Sequence, residues 1–160
     1  MPGMRFPRWG TDRGVSPESH IFLRRAARIR RDDRGARSHD QARVRERRWE
    51  ALSDAFRDCG QKNWDGYGAA PADPSAAAWA AHVLDAFPSG LGVPEVAFEP
   101  DGAAGFEWWR GPDNTLAVSV ARDGQVRFAA RLGREQVSGT GAFADGLPSD
   151  LIVAAYRLIA

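Results

Sequence analysis

The chain has few of the residues that form covalent or metal-bound cross-links. Its 160 residues include one cysteine, Cys59, and three histidines. A single cysteine excludes a disulfide within the chain, and one thiol with three scattered histidines makes no zinc-binding pattern. We therefore expect neither a cofactor nor a bound metal, and the lack of disulfides favours the cytoplasm.

Long apolar runs are also missing. No segment approaches the roughly 20 apolar residues that span a bilayer. The pair Arg24-Arg25 is not followed by the hydrophobic stretch of an export signal. The sequence therefore predicts an unexported protein that makes no membrane contact.

Lysine is nearly absent, and the basic residues are unevenly distributed. Arginine outnumbers lysine 21 to 1, which reflects a G+C-rich bacterial genome as much as selected chemistry. Residues 1–48 hold 14 arginines against six acidic residues, a net charge of +8. Residues 49–160 hold eight basic against 15 acidic residues, a net charge of −7. Two parts that differ so strongly in charge must meet different surroundings, or each other.

Large apolar residues are scarce before position 41. This composition cannot bury enough surface to offset the entropy of ordering, so it predicts a basic, largely disordered extension over residues 1–40 and one domain over residues 41–160. Alternatives are a solvated tail lengthened by a misassigned start codon, since Met4 follows Met1 closely, and a segment that folds back on the acidic body. Clustered arginines neutralise phosphates, and the candidate nucleic-acid-binding residues are Arg24, Arg25, Arg28, Arg30, Arg31 and Arg34.

Three segments have the apolar spacing of amphipathic helices. The first covers residues 41–59 and ends at Gly60. The second begins at Asp73-Pro74, because Asp is a good N-cap and Pro is tolerated at the first helical position. The third follows Pro148. The predicted buried arcs are Trp49, Leu52, Ala55, Phe56 and Cys59; Ala76, Trp79, Ala80, Val83, Leu84 and Phe87; and Leu151, Ile152, Ala155, Tyr156 and Ile159.

Between the second and third helices the apolar period changes to two, which is typical of strands. Short turns separate four alternating runs, and Asp123-Gly124 is typical of a two-residue hairpin loop. Residues 135–137 could add a short edge strand. The predicted fold is therefore α+β, an antiparallel meander of four or five strands with helices on one face. Its core residues are Val96 and Phe98; Phe106 and Trp108; Leu116, Val118 and Val120; and Val126, Phe128 and Ala130.

The same alternation places polar residues on the opposite face of the sheet. They are Glu107, Trp109, Ser119, Arg127 and Arg131. In this arrangement Trp109 is an exposed indole beside charges, and Glu107 can pair across the sheet with Arg127.

Residues 63–69, NWDGYGA, combine two aromatic rings with two glycines that permit positive φ. One interpretation is a structured connection whose rings, Trp64 and Tyr67, close the end of the core. The other is a recognition surface, since rings with a polar tip are favoured where partners dock. In that case Trp64, Asp65, Tyr67 and Trp109 are the candidate protein-binding residues.

NWDGYGA, the Ala-rich helix after it, and the FEPDG segment at 98–102 that leads into FEW at 106–108 are similar to a group of small bacterial and prophage-associated proteins. The resemblance covers residues 45–160 and leaves out the Arg-rich head. It implies a shared fold and a mobile-element setting, and it implies no particular activity.

Catalysis would require an acid, base or nucleophile with partners in a workable geometry. A metal-dependent hydrolase can be constructed from Asp65, Asp101, Glu107 and Asp113, but three of these lie in turns whose own chemistry accounts for them. The sequence favours a non-catalytic interaction module of a mobile element, similar in architecture to antitoxins, immunity proteins or regulators, that binds a protein partner. The alternatives are nonspecific nucleic-acid binding through the basic extension and, third, the metal-dependent hydrolase.

Overall fold

The sheet and its helices follow the order that the sequence predicts. The structure, a computed structural model, describes residues 34–160, with side chains from residue 38 onward. The five strands form one antiparallel meander in chain order. The α+β fold is thus confirmed, while the predicted disordered extension falls outside the described residues up to position 33. The elements are α1 (Arg34–Asp58), α2 (Pro74–Ala86), β1 (Glu95–Phe98), β2 (Ala104–Trp109), β3 (Asn114–Val120), β4 (Gln125–Leu132), β5 (Glu135–Ala142) and α3 (Ser149–Ile159).

Alternation along the strands gives the sheet one apolar face that carries the core. The strand register aligns Val96, Phe106, Val118 and Phe128 in one row across β1 to β4. These rings and branched chains pack against residues from α1, α2 and α3. The described helices therefore cover this face, as the period-two pattern predicts.

Helix α2 begins where its sequence indicates. The Asp73 carboxylate Oδ1 accepts hydrogen bonds from the backbone N–H groups of Ser75 at 2.8 Å and Ala76 at 3.2 Å. These bonds satisfy two of the amides that a helix N-terminus leaves unpaired. The buried side consists of Ala76, Ala80, Val83 and Leu84, all within the predicted arc.

Helix α1 differs from the prediction in its start and its buried side. It begins at Arg34 rather than residue 41, so the expected boundary of the domain falls inside the helix. Apolar spacing cannot reveal these first turns, because their sequence, RGARSHD at 34–40, contains no large apolar residue. Trp49, assigned to the buried arc, is 45% exposed, whereas its neighbour Arg48 is buried. The reason is the set of carbonyl groups facing Arg48, described below.

Strand β5 is longer than the predicted edge strand at residues 135–137. Its glycines mark close contacts rather than a loop. A Cβ on Gly139 would stand 2.8 Å from Cε1 of Phe128, and a Cβ on Gly141 would stand 2.9 Å from Cγ of Pro148. The strand therefore contains glycine where core residues approach its backbone.

The β3–β4 loop contains four residues, 121–124, not the predicted two. Ala121 N–H donates to Gln125 O at 2.9 Å, and Gly124 N–H donates to Ala121 O at 3.0 Å. Gly124 has φ +80, and a Cβ there would stand 2.9 Å from the Trp79 ring. The Asp-Gly pair thus ends a longer loop whose last position needs a left-handed backbone.

The buried side of α3 is also rotated relative to the prediction. Leu151, Ala154, Ala155 and Leu158 are buried. The predicted residues Ile152 and Tyr156 are 38% and 58% exposed, and Val153 is 55% exposed. Small alanines face the sheet because they allow the helix to approach it closely, so the largest side chains do not define the contact.

Candidate functional site

The sheet face turned away from the helices has a floor of short side chains between an acidic and a basic border. On the acidic side, β1 and β2 contribute Glu95 and Glu107; on the basic side, β4 contributes Arg127 and Arg131. We call this surface the polar face. Strand by strand, its residues are Glu95 and Ala97; Gly105, Glu107 and Trp109; Thr115, Ala117 and Ser119; Arg127, Ala129 and Arg131; and Gln136, Ser138 and Thr140.

The acidic border is a directly opposed pair of carboxyl groups. Glu95 on β1 stands opposite Glu107 on β2, so their Cβ atoms are about 5 Å apart. Burial, together with the nearby charge of Glu95, raises the pKa of Glu107 to about 7. Burial also raises the pKa of Glu95. Glu107 therefore changes its charge near neutral pH, a property that occurs often at functional sites.

Several polar atoms of this face are buried without a hydrogen-bond partner among the described residues. Three belong to the floor and the acidic border: Thr115 and Ser119 are 0% exposed and Glu107 is 4% exposed. Unpaired buried polar groups cost about 1–3 kcal/mol each, and five of the six atoms of this kind among the described residues lie on this face. The atoms are Glu107 Oε1, Trp109 Nε1, Thr115 Oγ1, Ser119 Oγ and Arg131 Nε.

Exposure rises across the polar face from β3 to β5. The floor residues on β3 are buried, Arg127 and Arg131 on β4 are half-buried, and Ser138 on β5 is exposed. Because β2 and β4 are two strand spacings apart, the acidic and basic borders are separated by about 10 Å. The face thus presents carboxyl, hydroxyl and guanidinium groups within the reach of a single bound segment.

Two expectations about this face need correction. Trp109 is not an exposed indole: it is half-buried, and its Nε1 atom is enclosed. Glu107 does not pair with Arg127, because Glu107 aligns with Ala117 and Ala129 whereas Arg127 lies in the neighbouring row beside Ser119. Placement on a face follows from alternation, but exposure and pairing depend on the register and on neighbouring side chains.

The loop at residues 63–69 is held by its own side chains. Trp64 is half-buried against the core, and its Nε1 donates to Ala70 O at 3.0 Å. The Asp65 carboxylate accepts from the backbone N–H groups of Tyr67 at 2.8 Å and Ala69 at 3.1 Å, which lowers the pKa of Asp65. These bonds match the structured-connection interpretation for Trp64. The same interpretation is wrong for Tyr67, which is 77% exposed and does not close the end of the core.

The candidate protein-binding residues do not form one cluster. The loop is attached to the β1–β2 turn, where Ala70 N–H donates to Pro100 O at 2.8 Å. Trp109 ends β2 at the far end from that turn, roughly 17 Å along the strand at about 3.4 Å per residue. Trp64, Asp65 and Tyr67 therefore lie at one end of the sheet and Trp109 at the other.

The candidate nucleic-acid-binding arginines lie almost entirely outside the described residues. Arg34 is the first residue of α1, and its side chain is not described. Within the described part, Arg43 and Arg47 are exposed on the same helix. Those outside the described range are Arg24, Arg25, Arg28, Arg30 and Arg31.

The loop carboxylates considered for a metal site have local roles. Asp65 closes its own loop, Asp101 Oδ1 accepts from Ala103 N–H at 3.0 Å, and Asp113 Oδ1 lies 3.7 Å from Arg131 Nε. Within residues 38–160, no group of three or more His, Cys, Asp or Glu side chains is placed to hold a metal ion.

Sequence reasoning missed Arg48, the residue that joins α1 to α2. The residue is 3% exposed, and burial lowers the pKa of its guanidinium to about 10. Its spacing to Leu52, one turn later on the apolar arc, was the available signal. The guanidinium donates to four carbonyls: Gly92 O at 2.9 Å, Leu84 O at 2.9 Å, Phe87 O at 3.1 Å and Pro88 O at 2.9 Å.

Sequence reasoning also missed Glu95 and Thr115 as members of the polar face. The period-two alternation of β1 and β3 places both residues there, opposite Glu107 and Trp109 respectively.

Comparisons with protein-family models, with curated proteins and with solved structures find no match to this chain. Within residues 34–160, every helix is too short or too polar to cross a membrane.

Proposed function

We propose that the protein is a non-catalytic interaction module that binds a protein partner through the polar face. The observation that supports this proposal most directly is the concentration of carboxyl, hydroxyl and guanidinium groups on one side of the sheet. A bound polypeptide supplies both N–H donors and C=O acceptors, so it can pair with the half-buried Glu95 carboxyl, the half-buried Arg127 guanidinium and the exposed Ser138 hydroxyl alike.

The gradient of exposure indicates how such a partner engages. Its first contact is with the accessible half on β4 and β5, where Arg127 and Arg131 are half-buried. A cationic side chain of the partner then reaches toward Glu95 and Glu107, and an acidic one toward the arginines. Charges of opposite sign about 10 Å apart fix the orientation of the bound segment.

The biological setting rests on the resemblance to bacterial and prophage-associated proteins. It supports a role on a mobile element, as an antitoxin-like, immunity-like or regulatory protein acting in the cytoplasm. Such proteins often combine a small folded domain with a charged extension, which is an architectural comparison.

The test is co-purification of the full chain with the products of its neighbouring genes. We expect Arg127→Glu, which reverses a charge on the polar face, to weaken capture of the partner at least about tenfold. The matched control is Arg43→Glu, an exposed charge reversal on α1 that should leave capture unchanged. Equal capture by both variants, or a purified wild-type chain that recovers no partner, would contradict the proposal.

Nucleic-acid binding is a second candidate function. The specific observation in its favour is that the exposed residues Arg43 and Arg47 continue the Arg-rich head along α1. A continuous row of arginines neutralises successive phosphates, whatever the base sequence.

A further inference from the structure

Strand β5 is an open edge of the sheet. It pairs with β4 over its full length, from Glu135 to Ala142, and no strand within residues 34–160 lies on its other side. At the start of β4, the backbone C=O of Gln125 points toward β3 and accepts a hydrogen bond from the N–H of Ala121, the residue that follows β3. Because backbone groups alternate in direction along a strand, the N–H and C=O groups of the even-numbered β4 residues point to β5, where Phe128 aligns with Gly139.

The outward backbone groups of β5 therefore belong to Gln136, Ser138 and Thr140. No hydrogen bond joins their N–H or C=O groups to a residue of another described element. All three side chains are exposed. The edge thus offers an unbroken row of donors and acceptors to solvent.

Natural proteins usually protect such an edge, and β5 lacks three of the usual devices. Proline, lysine and β-bulges block edge-to-edge pairing. The strand, EQVSGTGA, contains neither proline nor lysine, and its register with β4 is uninterrupted. Its outward row consists of short or flexible polar side chains, which leave the backbone accessible.

We propose that β5 pairs with β5 of a second copy of this chain, antiparallel about a twofold axis at Ser138, so that two five-stranded sheets become one of ten strands. In this register Ser138 faces Ser138 of the second copy, and Gln136 faces Thr140. The outward groups of three residues from each chain then exchange about six backbone hydrogen bonds.

Charge repulsion does not oppose this register. Glu135 faces Gly141 of the second copy, so no like charges stand directly opposite each other. Arg127 shares a row with Arg131 of the second copy across three strand spacings, or about 14 Å. That distance exceeds the Debye length of about 8 Å at physiological ionic strength, so their repulsion is screened.

Helix α3 provides an apolar contact along the same edge. Arg157 Nη2 donates to Glu135 Oε2 at 2.7 Å, which shows that this flank of α3 reaches the start of β5. Val153 lies one turn earlier on the same flank and is 55% exposed. In the dimer the two Val153 side chains lie on either side of the twofold axis and lose water contact.

Pairing at β5 would also join the two polar faces. Because the sheet continues across the axis, both polar faces lie on the same side, with the β4 arginines of each copy flanking the centre. The dimer is inferred from the backbone edge of β5 and the flank of α3 rather than from the polar face, so it stands or falls independently of the proposed partner binding.

The test measures the mass of the full chain in solution by light scattering coupled to size exclusion. We expect twice the chain mass of 17.5 kDa for the wild type. Ser138→Pro should shift the mass to that of one chain. Proline has no N–H, and the N–H that is lost points away from β4, so the hydrogen bonds between β4 and β5 stay intact. Ser138→Ala keeps that N–H and should remain dimeric.

A second variant keeps the proposal testable if Ser138→Pro does not fold, which circular dichroism would show. Val153→Arg leaves the sheet backbone intact and places a charge at the interface, so it should also shift the mass toward one chain. A wild-type chain that is monomeric at all concentrations would overturn the proposal. So would a chain whose β5 pairs only with a strand of a different protein. Equal dimer content in Ser138→Ala and well-folded Ser138→Pro would overturn it as well.

Discussion

Arg48 illustrates how one residue can connect three segments of chain. Its guanidinium donates to carbonyls at the end of α2 and in the segment up to Gly92. The carbonyls at a helix C-terminus carry partial negative charge and can accept more than one hydrogen bond, so they suit a cation. Nearby Asp85 is bonded to Arg45 and Trp49 instead. The buried charge of Arg48 is therefore compensated by backbone dipoles.

We expect Arg48→Ala to destabilise the fold by about 3 kcal/mol or more, because four carbonyls lose a donor in a buried site. Arg48→Lys should recover part of the loss, since an ammonium has three donors and no planar fork. Denaturant unfolding measures both changes. The matched control is Arg47→Ala on the exposed side of α1, which should change stability by no more than about 0.5 kcal/mol. Equal effects at both positions would contradict this account.

Glu107 should make stability depend on pH. Its folded pKa of about 7 exceeds the ordinary value of 4.5. Between these values the folded state binds more protons than the unfolded state, so stability falls as pH rises through this window. The shift corresponds to a loss of the order of 3 kcal/mol above pH 7, relative to pH below 4.5.

We therefore expect Glu107→Gln to remove most of this dependence. The difference in unfolding free energy between wild type and variant, measured by urea denaturation at pH 5 and pH 8, should shift in favour of the variant at pH 8. Any cost of an unpaired amide is the same at both pH values and cancels. Glu95→Gln should produce a smaller change in the same direction, because it removes the neighbouring charge. If the difference in unfolding free energy between wild type and Glu107→Gln does not change with pH, Glu107 is not the source of the pH dependence.

At the scale of the element, Gly139 shows why a glycine in a strand can be a core residue. A Cβ there would stand 2.8 Å from Cε1 and 3.1 Å from Cζ of Phe128. We expect Gly139→Ala to destabilise the fold by about 1–3 kcal/mol through overpacking. Ser138→Ala, on the other face of the same strand, is the control and should have little effect. Thermal unfolding reports both, and Phe128→Leu in the Gly139→Ala background should recover part of the loss.

Elements with a local signature could be predicted from the sequence. The Asp73 cap, the apolar face of α2 and the alternation of β2, β3 and β4 agree with the structure because each depends on neighbours in the chain. The length of β5 and the buried side of α3 could not be predicted. Both depend on contacts with Phe128 and the sheet, which no local pattern contains.

The candidate site could be predicted only in part. Alternation correctly placed Glu107, Trp109 and Ser119 on one face of the sheet. It could not show that these residues are largely buried, nor that Glu107 opposes Glu95, because the turn between β1 and β2 sets that register. The sequence therefore indicated the surface, and the structure shows its unpaired groups.

At the scale of the whole molecule, the change from a basic to an acidic composition falls within α1 and not at a domain boundary. Residues 1–33 hold eight arginines and four acidic residues, a net charge of +4. The remaining 14 basic and 17 acidic residues give the described part −3. Because α1 begins at Arg34, a deletion of residues 1–40 would remove its first turns. A deletion that removes the basic head without shortening α1 should therefore end at residue 33.

This division makes the nucleic-acid hypothesis testable on the intact molecule. We expect the full chain to bind double-stranded DNA of arbitrary sequence at low salt, with an affinity that falls steeply as salt rises, because arginines release counterions from the phosphates. Removal of residues 1–33 should reduce both the affinity and the salt dependence. Arg43→Glu with Arg47→Glu should reduce them further if α1 continues the basic row, whereas Arg57→Glu near the far end of the helix should not. Electrophoretic shifts at two salt concentrations separate these outcomes, and binding that is absent at low salt, or unaffected by the deletion, would exclude the head as a nucleic-acid-binding arm.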